Sequence, residues 1–257
     1  MYRWQAAIAT ENPRVLYLLI ELLKDLGLDF VVCTADDTRC GNSKVVVTTS
    51  EDSLRHQYDS VVYVEDDLDP VLTSVQILAS LYDVHNPSLA VIGVDPGMRF
   101  GVALVMDGTV TYKNSLTSPG AAVNLTLRLQ SYVKQSYPSC QVIVRVGTGA
   151  KLYSTLYLRN ALNQHPNLGL ELVNEHRTTL SGGATSDQTS AILIAGRTGR
   201  KHLDQDMVLE PKVGYVRSLQ QFVKRHTRGT RKLTKEEARS ILIGNISLDT
   251  ILDETKS

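Results

Sequence analysis

Three carboxylates in the middle of the chain stand at junctions where hard oxygen donors would be useful. Asp95 ends the apolar run that begins near residue 89, Glu175 follows a second such run at 170–174, and Asp187 comes just after Ser186 at the start of a helical pattern. Residues 90–200 hold only 5 acids against 10 Lys and Arg, so three acids at such junctions carry information. If the runs ending at Asp95 and before Glu175 are strands lying near each other, and the helix from Asp187 packs on them, the three acids converge from distant parts of the chain. That donor set suits Mg2+ or Mn2+, which take few protein carboxylates and leave positions for substrate oxygens. Two such ions clamp a phosphodiester, activate water and stabilise the leaving oxygen.

The elements that must position these acids follow from periodicity. Residues 89–94 form a continuous apolar run, as a central strand should. Residues 101–106 and 109–114 flank Asp107-Gly108, a hairpin signal, because that pair accepts the positive φ angles of a tight turn. Ser118-Pro119 starts a helix to about Ser136, 141–146 is the next strand, 151–164 the next helix, and 170–174 a fifth strand. The helix from Asp187 runs to Ala195. Three antiparallel strands followed by alternating helices and strands is the order of the RNase H fold.

The motifs carry a more specific resemblance. Val94-Asp95-Pro96-Gly97 followed by Gly101-Val102-Ala103 resembles the first-strand motif of the RuvC and YqgF nucleases within the RNase H-like superfamily. The stretch from Asn174 to Thr179 is similar to the Asp-Glu-Arg-x-Thr-Thr motif of the YqgF branch, with Asn174 and His176 in place of its Asp and Arg. Asp187-Gln188-Thr189-Ser190-Ala191 resembles the start of its last helix. The resemblance spans roughly residues 90–200. It implies that Asp95, Glu175 and Asp187 are metal ligands and catalytic residues of a Holliday junction resolvase-like or RNA-processing hydrolase. The run Val144-Arg145-Val146-Gly147 has no acid where RuvC places one.

Net charge is +0, yet the average conceals a division. Residues 1–89 hold 6 basic and 14 acidic side chains, whereas residues 211–235 hold eight Lys or Arg and no acid. A solvated face is usually balanced by acids, so Arg217, Lys224, Arg225, Arg228, Arg231 and Lys232 are read as phosphate ligands for nucleic acid. Lys151 and Arg177 are either further phosphate ligands or solvated side chains, and Tyr215 and Phe222 are either core residues or stacking platforms for bases. Thr234 and Glu237 form a capping box for a short helix ending at Gly244, and Ser247 caps another.

The front of the chain reads as a separate Rossmann-like α/β domain over 1–88, followed by a nuclease domain over 89–203 and a basic tail with two short helices over 204–257. Strands at 5–9, 29–33, 44–48 and 60–64, with helices after Asn12-Pro13 and over 70–82, predict a three-layer unit with a largely parallel sheet. It has no Gly-rich dinucleotide fingerprint and is assigned no cofactor. The acids from Glu65 to Asp69 precede a helix, where they offset its dipole. No apolar run approaches the roughly 20 residues of a membrane helix, and Cys33, Cys40 and Cys140 read as free thiols in a reducing cytoplasm.

These readings predict a metal-dependent endonuclease on branched DNA or structured RNA, with a symmetric dimer if two matched cuts are made. The alternative is a non-catalytic nucleic-acid-binding protein on the same fold. A sugar-kinase or actin-like ATPase would need a second copy of the Asp-x-Gly loop, and the front domain contains none.

Overall fold

The computed structural model describes residues 2–34, 37–50, 52, 58–174 and 186–253, and the chain divides into two compact units. The first comprises Met1–Pro87 with Thr109–Tyr112, and the second Ser88–Gly108 with Lys113–Ser257.

The first unit is built on a parallel sheet of β1 (Trp4–Ile8), β2 (Phe30–Val32), β3 (Ser43–Thr49) and β4 (Val61–Val64), in the order β2-β1-β3-β4. Helix α1 (Pro13–Asp25) starts where Asn12 accepts hydrogen bonds from the N–H groups of Arg14 and Val15, and it buries Val15, Leu19 and Leu23. Helix α2 (Pro70–Leu81) starts at Asp69, whose carboxylate accepts from Val71 and Leu72 as the dipole argument requires. Both helices lie on one face, packed against Ala6, Ile8, Val45, Val47, Val62 and Val64. Among the described residues the other layer is a short 3-10 turn, Thr38–Asn42, rather than an α-helix.

That turn carries a correction. Cys33 and Cys40 are joined in a disulfide with their Cα atoms 6.1 Å apart, and only Cys140 among the three is free. The end of β2 and the 3-10 turn bring the two residues into one buried cluster with Ala7, Ala9 and Val46, a proximity invisible in their spacing. The pairing removes the free-thiol argument for a reducing compartment. No helix among the described residues is long and apolar enough to cross a membrane.

The second unit holds β5 (Leu89–Pro96), β6 (Phe100–Met106), the later half of β7 (Thr109–Leu116), α3 (Pro119–Ser136), β8 (Gln141–Gly147), α4 (Lys151–Gln164), β9 (Leu170–Val173), α5 (Asp187–Ala195) and β10 (Arg200–Lys201). Its sheet runs β10-β9-β8-β5-β6-β7, with β5 antiparallel to β6 and parallel to β8, and β8 parallel to β9. The mixed sheet therefore has three strands laid side by side, then three more added on the far side of the first. Asp107 and Gly108 both have positive φ, 44° and 85°, as a two-residue hairpin turn demands. The Asp107 carboxylate also accepts from Ser88 and Leu89, which ties the hairpin to the start of β5 and lowers the carboxyl pKa.

Three helices follow, not two: α6 (Val213–His226), α7 (Lys235–Ile243) and α8 (Leu248–Asp253). The capping box at Thr234 and Glu237 is formed, Gly244 ends α7 with φ 89°, and Ser247 accepts from the Asp249 N–H. Helix α6 lies within the basic stretch to which the sequence assigns no element, and Val216, Leu219, Phe222 and Val223 make a buried stripe at helical spacing. The tail is clasped to the unit. Arg159 of α4 donates to the carbonyls of Met207, Ile241 and Leu242, and Asp249 accepts from the Gly120 N–H and Asn160.

Candidate nuclease-type acidic site

Alternation along β5 places Asp95 on the same sheet face as Gly93, two residues earlier. Directly across the antiparallel pair, Asp95 faces Gly101 of β6 and Gly93 faces Ala103. Helix α5 lies on this face at backbone contact. A Cβ on Gly101 would stand 1.9 Å from the Asp187 carbonyl oxygen, and one on Gly93 would stand 2.1 Å from that of Ala191. Both separations are far inside van der Waals contact, so only glycine fits at either position with the helix where it is. The first residue of α5 is therefore seated on the cross-strand neighbour of Asp95, and such neighbours have Cα atoms about 5 Å apart. Two of the three predicted acids thus share one locality, although 92 positions separate them in sequence.

Asp187 is held at the helix start by Ser186, which accepts from the Thr189 N–H at 3.2 Å. Its half-exposed side chain meets Arg99, whose Nε is 3.7 Å from Oδ2. Arg99 leaves the turn between β5 and β6 and also donates to the Ser115 carbonyl at 3.3 Å. The sequence motifs do not single out this arginine. A signal is present in the sequence all the same: a cation four positions after Asp95.

The third acid, Glu175, lies outside the described residues, as do His176, Arg177 and Gly182-Gly183. Their approach is described. Register pairs Val94 with Val146 and Gly147 with Val173, so β5, β8 and β9 end along one edge of the sheet. The chain leaves β9 through Asn174 at the edge that carries Asp95. On β8 the place without an acid is occupied differently. Arg145, paired in register with Gly93, contacts Glu171 at 2.9 Å and donates to the Ala195 carbonyl at 2.7 Å. A cation on the last carbonyls of α5 complements the helix dipole, so this pair anchors the far end of the helix that presents Asp187.

Among the described residues no three His, Cys, Asp or Glu side chains form a cage for a metal ion. Two carboxylates on one sheet edge still fit the donor chemistry of Mg2+ or Mn2+, which retain waters and need only one or two protein carboxylates.

The basic residues fall into two kinds. Arg217, Lys224 and Arg225 are exposed on α6, and Arg228 and Lys232 are exposed just beyond it. Arg217 and Lys224 are seven positions apart, which sets them on one side of the helix, away from the buried Val216, Leu219 and Val223. Arg231 differs, because its guanidinium contacts Glu237 at 2.6 Å and the Lys232 carbonyl. It fastens the corner between α6 and α7, and its charge is already matched. Lys151 is exposed as the first residue of α4. Tyr215 is half-buried, whereas Phe222 is buried and is a core residue rather than a platform for bases.

An aromatic chain connects α6 to the acid-bearing turn. Phe100, Tyr153, Phe222 and His226 follow one another with ring centroids 6.2, 5.7 and 6.1 Å apart. The Tyr153 hydroxyl reaches Met98 in the turn between Asp95 and Arg99. Burial pushes the Tyr153 phenol up, while the charge of Arg225 on α6 pulls it down.

No protein-family model matches the chain, and no curated protein matches it. Among solved structures it is similar to Argonaute from Marinitoga piezophila in complex with a 5′-OH guide RNA, at 10% identity and a TM-score of 0.26. The match covers 66% of this chain and 39% of that one.

Proposed function

We propose that the chain is a divalent-metal-dependent endonuclease of the RuvC/YqgF kind, hydrolysing phosphodiesters in branched DNA or structured RNA. The observation that carries this reading is the seating of Asp187 on Gly101, opposite Asp95, on a sheet of RNase H-like order. Asp95, Glu175 and Asp187 would hold Mg2+ or Mn2+, and such an ion would supply water activation and charge stabilisation at the leaving oxygen. Arg217, Lys224, Arg225, Arg228 and Lys232 hold backbone phosphates. A junction-resolving enzyme of this kind acts as a symmetric dimer, since its substrate needs two matched cuts.

The test is cleavage of synthetic four-way junctions, hairpin RNA and linear duplex with Mg2+ or Mn2+, beside Asp95→Asn. Metal-dependent cutting lost in the variant is the expected result. If the wild type cuts none of the substrates, or Asp95→Asn cuts equally well, the catalytic reading is wrong. A binding protein on the same fold is the second reading, favoured by Arg99, whose charge already offsets Asp187. Its signature is salt-dependent binding with no metal-stimulated cleavage.

A further inference from the structure

The contact between Arg99 and Asp187 has a geometry that suits neither a structural salt bridge nor a free arginine. At 3.7 Å the nitrogen and oxygen are beyond hydrogen-bond distance, and both side chains are open to water, 57% and 40% exposed. Exposed pairs of this kind add little to stability. Arg99 has a second partner as well, because its Nη2 donates to the Ser115 carbonyl at 3.3 Å, with the guanidinium beside the start of α5. The result is a positive charge held at the edge that carries two carboxylates, Asp95 and Asp187, close to the second without locking onto it.

We propose that Arg99 is an internal counter-ion for this acid pair. With no divalent cation bound, it offsets the repulsion between the carboxylates and keeps Asp187 in place at the helix start. A cation arriving between the acids competes with Arg99 for Asp187. The guanidinium then turns its N–H donors outward, toward an anionic oxygen at the same edge. Its planar fork suits a phosphate. The short lever of the turn between β5 and β6 leaves it near the acids throughout. Arg99 is in this sense a positioning residue: it weakens cation binding in the empty site and strengthens phosphate binding in the filled one. The inference rests on the metal-site reading above.

The experiment uses the whole chain and Mn2+ alone as the first probe, by isothermal titration. At this separation and exposure, Coulomb attraction discounted for screening corresponds to about a threefold change in affinity. Arg99→Ala should bind Mn2+ about threefold tighter than the wild type, and Arg99→Lys, which keeps the charge, should stay close to it. Anisotropy with a labelled four-way junction is the second readout. The gain in affinity that Mn2+ gives the wild type should shrink in Arg99→Ala, and only partly return in Arg99→Lys, which lacks the planar fork.

Equal or weaker Mn2+ binding by Arg99→Ala, beside a wild type whose Mn2+ binding is lost in Asp95→Asn, would overturn the counter-ion role and leave the metal site standing. A wild type that binds no Mn2+ at all would overturn both. Because Arg99 is exposed, its removal should leave the thermal midpoint unchanged. A large fall in that midpoint would assign it to structure and also overturn the proposal.

Discussion

Gly101→Ala tests the geometry that brings the acids together. A single methyl added there would lie 1.9 Å from the Asp187 carbonyl oxygen and 2.5 Å from its carbon, both backbone atoms that no rotamer change can move away. Reaching ordinary contact requires the start of α5 to lift by more than an ångström or β6 to bend. Overpacking of this kind typically costs about 1–3 kcal/mol. The larger effect falls on the site, because displacing one ligand by about 1 Å costs on the order of 100-fold in rate when the chemistry depends on placement. Urea denaturation reads the first effect, and Mn2+ titration with junction cleavage reads the second. Two controls separate them. Gly93→Ala meets the Ala191 carbonyl at 2.1 Å, one helical turn further along α5, and should destabilise as much while disturbing Asp187 less. Gly214→Ala on α6 meets nothing within 4 Å and should not destabilise the fold. If Gly101→Ala unfolds at the wild-type urea concentration and binds Mn2+ normally, α5 does not rest on Gly101 and the juxtaposition of Asp95 and Asp187 falls with it.

Other outcomes follow from separate features. Reducing the disulfide, or replacing Cys33 by Ser, opens a loop closed across 7 positions, and chain entropy puts the loss in the first unit at about 2.5 kcal/mol; an unchanged urea midpoint with and without reductant would contradict the pairing. Replacing Lys224, Arg225 and Arg228 together by Ala should flatten the log–log salt dependence of nucleic-acid binding by up to about 0.9 for each phosphate no longer neutralised, whereas Arg231→Ala should lower stability and leave that slope alone because its charge is matched by Glu237. The Asp107 carboxyl is held below its usual range by the N–H groups of Ser88 and Leu89. Its stabilising contribution is therefore complete above the unfolded pKa, near 4, and disappears as pH falls through the lower folded value. Asp107→Asn should remove that part of the acid sensitivity, as read from urea midpoints at neutral pH and at about pH 3.

What the sequence discloses depends on whether the deciding interaction is local. The helices begin where Asn12-Pro13, Ser118-Pro119, Ser186 and the Thr234–Glu237 box place them, because a cap is a contact within three residues. The hairpin at Asp107-Gly108 is equally local. The disulfide is not legible, because it depends on where β2 ends relative to a 3-10 turn. Helix α6 is masked in the sequence by the eight cations around it, although the apolar stripe at Val216, Leu219, Phe222 and Val223 has helical spacing. Asp95 and Asp187 are legible as residues, but what joins them is legible only in the glycines. A glycine inside a strand pattern signals close approach of another backbone, and Gly93 and Gly101 stand in two such strands. Arg99 and the Arg145–Glu171 pair need the register before their partners can be seen.

The close approach also explains how the acid-bearing edge is kept in shape. Asp187 is positioned chiefly by where its backbone rests, and that resting place is set at two points along α5 by Gly101 and Gly93. Ala191 and Ala195 continue the small-residue seam on the helix side, and Arg145 holds the last carbonyl at the far end. A helix pinned at its first residue, its middle and its last carbonyl has little freedom to slide or tilt. Its leading side chain can then remain half-exposed without becoming ill-placed. The same logic separates the acids from the basic helix. The acids are fixed by backbone against backbone, whereas α6 is fixed by the ring chain through Phe222, Tyr153 and Phe100, leaving its cations on the outer side. Precision is therefore concentrated where a cation would need it and adaptability where a flexible phosphate backbone would. A net charge of +0 arises because the acidic excess of residues 1–89 offsets the basic excess of the rest, and it says nothing about either surface.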